Sequence, residues 1–204
     1  MTNNEPTGAL PRDPRFEAYL ALLAKWNAAY NLTAVRDPAQ MRTQHLADCR
    51  AVVEPLCRQM GGQGRAVRIL DVGSGGGLPG VVLGLADPGW EVTCVDSVGK
   101  KAAFVRQVAA ELGLRNLHAM HGRVEALKAP LFDVITSRAF ASLSDFVRLT
   151  RQLLAPDGVW MAMKGKRPDG EIAALPTDVA VFHVEPLTVP GLDAERCLVW
   201  MRPR

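Results

Sequence analysis

The segment Asp71-Val-Gly-Ser-Gly-Gly-Gly-Leu-Pro-Gly80 follows directly on the apolar run Val67–Val72, and it restricts the fold more tightly than any other part of the chain. The run has the length and β-branched character of a buried strand. The glycines let backbone approach a ligand closely, and the turn feeds a helix N-terminus. In an α/β sheet this is where ligands bind, outside the carboxyl ends of the strands.

The region beyond repeats the same alternation. Glu91–Asp96, Leu117–Gly122, Phe132–Ser137 and Val159–Lys164 read as further strands, with helical stretches near 79–86, 100–114 and 143–154 between them. Ser142 with Asp145 has the spacing of a capping box for the last of these. Nearly continuous apolar strands separated by helices predict a parallel sheet covered on both faces. Val179–Val184 and Cys197–Met201 are strand-like with only a Pro/Gly-containing stretch between them, which predicts a closing antiparallel hairpin. Seven strands are expected in all.

Upstream, residues 13–60 read as helical. Asp13-Pro14 and Asp37-Pro38 are start signals, a capping carboxylate followed by proline. Phe16, Tyr19, Leu20, Leu23 and Trp26 form one apolar stripe, and Cys49, Val52, Val53, Leu56 and Met60 a second. Gly61-Gly62-Gln63-Gly64 is a flexible join. The expected organisation is a helical extension over 1–64 and an α/β domain over 65–204.

At 204 residues, 48% hydrophobic and 22% charged, the chain can bury a self-sufficient core. No apolar run reaches the roughly 18 residues of a membrane span, and Met1–Gly8 is polar, so no leader and no membrane are expected. Cys49, Cys57, Cys94 and Cys197 are scattered without a CxxC, which argues against disulfides or zinc and for a reduced, cytoplasmic protein. His118 and His121, three apart on a strand, face opposite sides and cannot share a metal; no metal site is expected. The formal charge is only +3, so an anionic partner requires clustered cations.

Gly75-x-Gly77-x-x-Gly80 formally matches the dinucleotide fingerprint. Its first glycine comes late, however, and Asp71 would set a carboxylate beside a pyrophosphate. Read as D-x-G-x-G-x-G, the turn suits S-adenosylmethionine, whose methionine end is cationic. Asp96, 23 residues after Gly73, can accept ribose hydroxyls of either cofactor. Val124 and Glu125 after the third strand complete a pocket, one against adenine and the other accepting from its amine.

Several separated pieces resemble the glucose-inhibited division protein B family, also called ribosomal RNA small-subunit methyltransferase G. They are Trp26-Asn27-x-x-x-Asn31-Leu32-Thr33-Ala34, His45-x-x-Asp48, Asp71–Gly80, Asp96-Ser97 with Lys100-Lys101, Gly122-Arg123-Val124-Glu125, Ser137-Arg138-Ala139 and Lys164-Gly165. The resemblance spans about residues 16–166. It implies a class I methyltransferase fold, Rossmann-like, with N-terminal helices. It also implies methyl transfer from S-adenosylmethionine to N7 of one guanosine, nucleotide 527, of 16S rRNA, with that RNA or the 30S subunit as partner. The family's cofactor contacts fall on Gly73, Leu78, Val124, Glu125 and Arg138; Leu78 stands where phenylalanine is usual. With Asp71, Gly75, Gly77 and Asp96 these make up the expected cofactor site.

Guanine N7 has a lone pair and no proton, so its methylation needs no general base. The fourth strand ends without the Asn/Asp-Pro-Pro-aromatic signature of exocyclic-amine enzymes, and no cysteine lies directly after the end of the fourth or fifth strand to serve cytosine C5 chemistry. Lys100, Lys101, Arg123, Arg138, Lys164, Lys166 and Arg167 all follow strand ends and are expected to ring the cofactor mouth as the RNA footprint. Arg138 and Lys164 are the expected catalytic pair, orienting the base. A hidden N7 demands a loop, an unpaired base or a flipped nucleotide.

Trp26 is expected to pack, and Asn31 with Thr33 to cap a turn. His45 and Asp48 read either as a surface pair or as RNA contacts. Two other functions compete. An NAD-dependent oxidoreductase would want a catalytic Tyr/Lys or His, yet the only tyrosines are Tyr19 and Tyr30, in the helical extension. A non-catalytic RNA-binding or assembly factor would have no need of the intact glycine turn. A monomer is expected, and the substrate form (naked rRNA, assembly intermediate or whole subunit) stays open.

Overall fold

The computed structural model describes residues 13–204 apart from Gln63, Arg65, Ala139 and Ala141. The polar stretch Met1–Gly8, Gln63 of the glycine join and Ala139 after the fourth strand lie outside the described residues. Seven strands form one sheet: β1 (Val67–Val72), β2 (Trp90–Asp96), β3 (Leu117–His121), β4 (Phe132–Ser137), β5 (Leu154–Lys164), β6 (Val179–Pro186) and β7 (Cys197–Pro203). Their order is β3-β2-β1-β4-β5-β7-β6. The first five run parallel, and β7 lies antiparallel between β5 and β6.

β1 and β4 have the bounds expected from their apolar runs, while β5 starts five residues before the predicted Val159. Pro156 and Gly158 look like a turn, yet the β4–β5 register shifts between Phe132 and Val134 and absorbs them. An irregular strand start accommodates a proline that a regular ladder would exclude.

Side-chain alternation divides the core in two. Ile69, Val92, Cys94, Val134, Met161 and Trp200 face one layer, with the N-terminal helices, α5 (Gly80–Ala86) and α6 (Gly99–Glu111). Leu70, Val72, Ile135, Trp160 and Val199 face the other, with α7 (Leu143–Thr150). Ser142 accepts from the Asp145 backbone N–H at 3.0 Å and donates to Asp145 Oδ2 at 3.1 Å, so the return arm of the box goes to the hydroxyl.

The helix α1 spans Pro14–Tyr30, capped by Asp13, which accepts from the Arg15 N–H at 2.9 Å. Its buried Tyr19 donates to the Gly76 carbonyl at 2.7 Å, which pins the helix onto the glycine turn. Trp26 packs as expected, 5.5 Å from the Phe104 ring. Asn31 ends the helix in the left-handed region at φ 50°, and Thr33 accepts from the Val35 N–H at 3.2 Å. Asp37 caps the next helix through the Ala39 N–H at 2.8 Å. That helix runs from α2 (Pro38–Met41) through a π-helical stretch, Arg42–Ala47, into α3 (Asp48–Arg50); α4 (Val53–Gln59) follows. The widened turn carries His45 and Asp48 inward, as such bulges often do at functional sites. Among the described residues no helix is long and apolar enough to cross a membrane.

Candidate functional site

The glycine turn is braced from inside. Asp71 is fully buried, and its Oδ2 accepts from the Gly80 N–H at 2.8 Å. Burial is the main cause that pushes this carboxyl up to about 7. A Cβ on Gly80 would lie 2.3 Å from Cys94 Sγ and 2.9 Å from Asp71 Oδ2, so only glycine lets the helix start this close to β1 and β2. Gly77 combines φ +82° with a Cβ position 2.5 Å from Val81 Cγ2. Leu78 is buried in the core beneath the turn. Asp71 and Leu78 therefore stand behind the ligand-facing surface, bracing it.

That surface opens into a cavity of about 330 Å³ over the ends of β1, β2 and β3. Gly73, Asp96, Val124 and Glu125 line it together, as the convergence of consecutive strand ends predicts. Val72, Val95, Phe140 and Leu149 supply further apolar wall. Asp96 Oδ2 accepts from the Gly75 N–H at 3.0 Å and Oδ1 from the Val98 N–H at 2.9 Å. Each oxygen keeps acceptor capacity, and the carboxylate is held in place before any ligand arrives. Glu125 sits at the mouth, 41% exposed, with Arg123 at 3.5 Å. A slot with apolar walls and two carboxylates at its edge fits a flat base carrying an amine and a sugar carrying hydroxyls.

A second cavity, about 370 Å³, lies across the carboxyl end of β4. Arg138, Lys164, Arg196, His45 and Asp48 line it. Arg138 donates to His45 Nδ1 at 3.1 Å and to the Gln44 carbonyl at 3.3 Å, with Asp48 Oδ2 at 3.8 Å. Arg196 donates to Asp48 Oδ1 at 2.9 Å. Lys164 binds Glu171 at 2.8 Å. Burial first, then Arg138, brings the His45 imidazole down to about 4, so the ring is neutral. Burial pushes the Asp48 carboxyl up, and Arg196 and Arg138 pull it back.

One of the two alternatives for His45 and Asp48 is excluded, and the expected ring of cations is corrected. His45 and Asp48 are not a surface pair: they are 4% and 3% exposed, and they hold the two arginines. Nor do the seven strand-end cations form one ring. Arg138 and Lys164 share the second cavity, Lys166 and Arg167 open on a third beside it, and Arg123 pairs with Glu125 at the first. Lys101 lies 4.0 Å from Asp96, and exposed Lys100 lines none of the three cavities. Acids neutralise several of these cations, which sequence position alone does not show. Arg196 and Gln44 escape sequence reasoning; Arg196 sits in the Pro/Gly-containing stretch before β7, and only the fold brings it 2.9 Å from a residue 148 positions earlier.

A model of the GidB family, rRNA small subunit methyltransferase G, matches residues 12–199. The chain is 64% identical over 183 residues to the ribosomal RNA small subunit methyltransferase G of Methylibium petroleiphilum, covering 90% of this chain and 82% of that protein. It is 62% identical over 191 residues to that of Acidovorax ebreus, covering 91% and 84%. Among solved structures it is similar to the glycopeptide N-methyltransferase MtfA complexed with (S)-adenosyl-L-methionine, with TM-score 0.62, 14% identity and coverage of 78% and 94%. A SAM-dependent methyltransferase from Aquifex aeolicus matches with TM-score 0.60, 15% identity and coverage of 89% and 97%. At these identities the likeness concerns the fold, that of the class I methyltransferases. The match of the family model over nearly the whole chain and the two close relatives agree: the chain belongs to the rRNA small subunit methyltransferase G family.

Proposed function

We propose that this chain transfers a methyl group from S-adenosylmethionine to N7 of one guanosine of 16S rRNA, nucleotide 527, with the 30S subunit or its RNA as substrate. The cofactor, when bound, supplies an electrophilic methyl on a sulfonium. Gly73, Asp96, Val124 and Glu125 would hold its adenosine part, Asp96 accepting from ribose hydroxyls and Glu125 from the adenine amine. The glycine turn, braced by Asp71 and Tyr19, keeps that cavity in shape.

The observation that carries the N7 reading is the state of the second cavity. Both nitrogens of its histidine are engaged, by Arg138 and by Thr33, and its aspartate holds two arginines. These groups orient; they do not offer a free base, and N7 needs none. Arg138 or Lys164 donating to the guanine O6 would fix the ring, leaving alignment to supply the acceleration. Burial pushes the Cys49 thiol up to about 12 and the Cys94 thiol up as well, so neither is the ready thiolate that cytosine C5 chemistry requires.

The test is incubation of purified protein with methyl-labelled S-adenosylmethionine and, separately, 30S subunits lacking the modification, naked 16S rRNA and bulk tRNA. Label in 16S RNA, as subunit or free, is the expected result. Label in tRNA alone, or cofactor binding without transfer to any RNA, would refute the substrate assignment.

A further inference from the structure

The third cavity, about 360 Å³, shares Gly165 and Arg196 with the second and no lining residue with the first. Val184, Pro186 and Leu187 make its apolar floor. Lys166 and Arg167 stand at its rim, both exposed. Arg167 binds Asp169 at 2.7 Å with both side chains in water, a pairing easily exchanged for a phosphate. Lys166 makes no ion pair among the described residues. The floor is held by the mouth of the β6–β7 hairpin, where the Leu187 N–H donates to the Arg196 carbonyl at 2.8 Å. Glu195 also lines the cavity and gives it one anionic acceptor.

We propose that this cavity seats the nucleotide adjacent to the target guanosine. Its base lies on Val184, Pro186 and Leu187, and its phosphate between Lys166 and Arg167. The inference rests on the RNA methyltransferase reading. Three features favour an RNA strand as the occupant. Gly165 and Arg196, common to both, set the cavity directly beside the proposed site of the target base. Cations at the rim of an apolar floor match a nucleotide, whose base is flat and whose phosphate is charged. Glu195 accepts from an N–H on the base edge, as acidic side chains do from an exocyclic amine. A flipped or looped target leaves its neighbour unstacked, and this floor replaces the lost stacking.

The experiment compares wild type, Leu187→Asp and the double variant Lys166→Ala/Arg167→Ala on whichever RNA substrate the wild type methylates. Each is followed by RNA KM, kcat, cofactor affinity and Tm. A carboxylate on the floor removes apolar contact with the base and repels the adjacent phosphate, so the RNA KM is expected to rise about ten-fold or more, with kcat and cofactor affinity near wild type. Removing the two rim cations is expected to weaken binding and lower the slope of log affinity against log salt by about 1–2. The double variant changes only exposed side chains, so it reports even if Leu187→Asp fails to fold. Folded variants with wild-type RNA KM and salt slope would overturn the proposal while leaving the reaction intact. Failure of the wild type to methylate any RNA would instead overturn the underlying reading and this inference with it.

Discussion

Arg138 donates to Nδ1 of His45 at 3.1 Å, and Nε2 of the same ring lies 2.7 Å from Thr33 Oγ1. Because Arg138 is a donor only, Nδ1 is the acceptor and the proton sits on Nε2, pointing to Thr33. His45 is thus a fixed, neutral support for an arginine at the second cavity. Protonation would set two cations against each other.

His45→Phe is expected to lower kcat/KM for RNA about ten-fold or more, while His45→Asn, which keeps an acceptor, loses less. With the imidazole at about 4 in the folded state against 6.5 unfolded, the unfolded chain binds more protons between those values. Stability from this group is therefore present above about 6.5 and lost as pH falls toward 4. Thermal melts of wild type and His45→Phe should converge across that window. A gap that does not narrow on acidification would contradict the neutral-support role.

Asp71 acts in the opposite direction. Its carboxyl lies near 7 folded against 3.8 in an ordinary setting, so the folded state holds a proton the unfolded chain has released. Stability is lost as pH rises from about 4 to 7. Asp71→Asn can keep the acceptor for Gly80 and removes the charge, so its Tm should gain on wild type more at pH 8 than at pH 5. A gain independent of pH would show that the carboxyl is not the cause.

Gly80→Ala and Gly77→Ala should destabilise strongly, by about 2–4 kcal/mol, from backbone strain or forced overpacking. Gly113→Ala is the control, with φ +64° and nothing within 4 Å of the added atom. Strain alone predicts about 1–2 kcal/mol there. Denaturant titration of the three separates crowding from strain; equal losses would mean the turn is not crowded.

Asp48 holds Arg196 at 2.9 Å and Arg138 at 3.8 Å while 3% exposed. Asp48→Ala leaves two partly buried guanidinium groups uncompensated and should cost about 3–5 kcal/mol. Cofactor affinity, measured by calorimetry on protein kept below its melting range, should stay close to wild type because Asp48 lines no part of the cavity proposed for the cofactor. Loss of cofactor binding with the fold intact would join the two cavities functionally.

Most of the fold was readable because the signals are local. The run Val67–Val72, the Asp-Pro caps at 13 and 37 and Ser142 each act within a few residues, and each is found where the pattern puts it. So are Gly73, Asp96, Val124 and Glu125, because consecutive strand ends of a parallel sheet converge by topology. What escaped depends on packing. Periodicity places His45 and Asp48 on a helix without saying which turn is widened, so their burial against Arg138 is invisible in the chain order. Arg196 is recruited across the sheet, and the pairing of Lys164 with Glu171 depends on the short helix α8 (Asp169–Ala173) folding back. Glycine spacing identifies the turn but does not tell which residues face the ligand and which, like Leu78, face the core.

The central claim is tested most directly by digesting 16S RNA after reaction with 30S subunits from a strain lacking this activity and locating the new methyl by mass spectrometry. The account predicts a single 7-methylguanosine, at nucleotide 527, that is strongly reduced with Arg138→Ala. A methyl on an exocyclic amine, on C5 of a pyrimidine or on the ribose would contradict it.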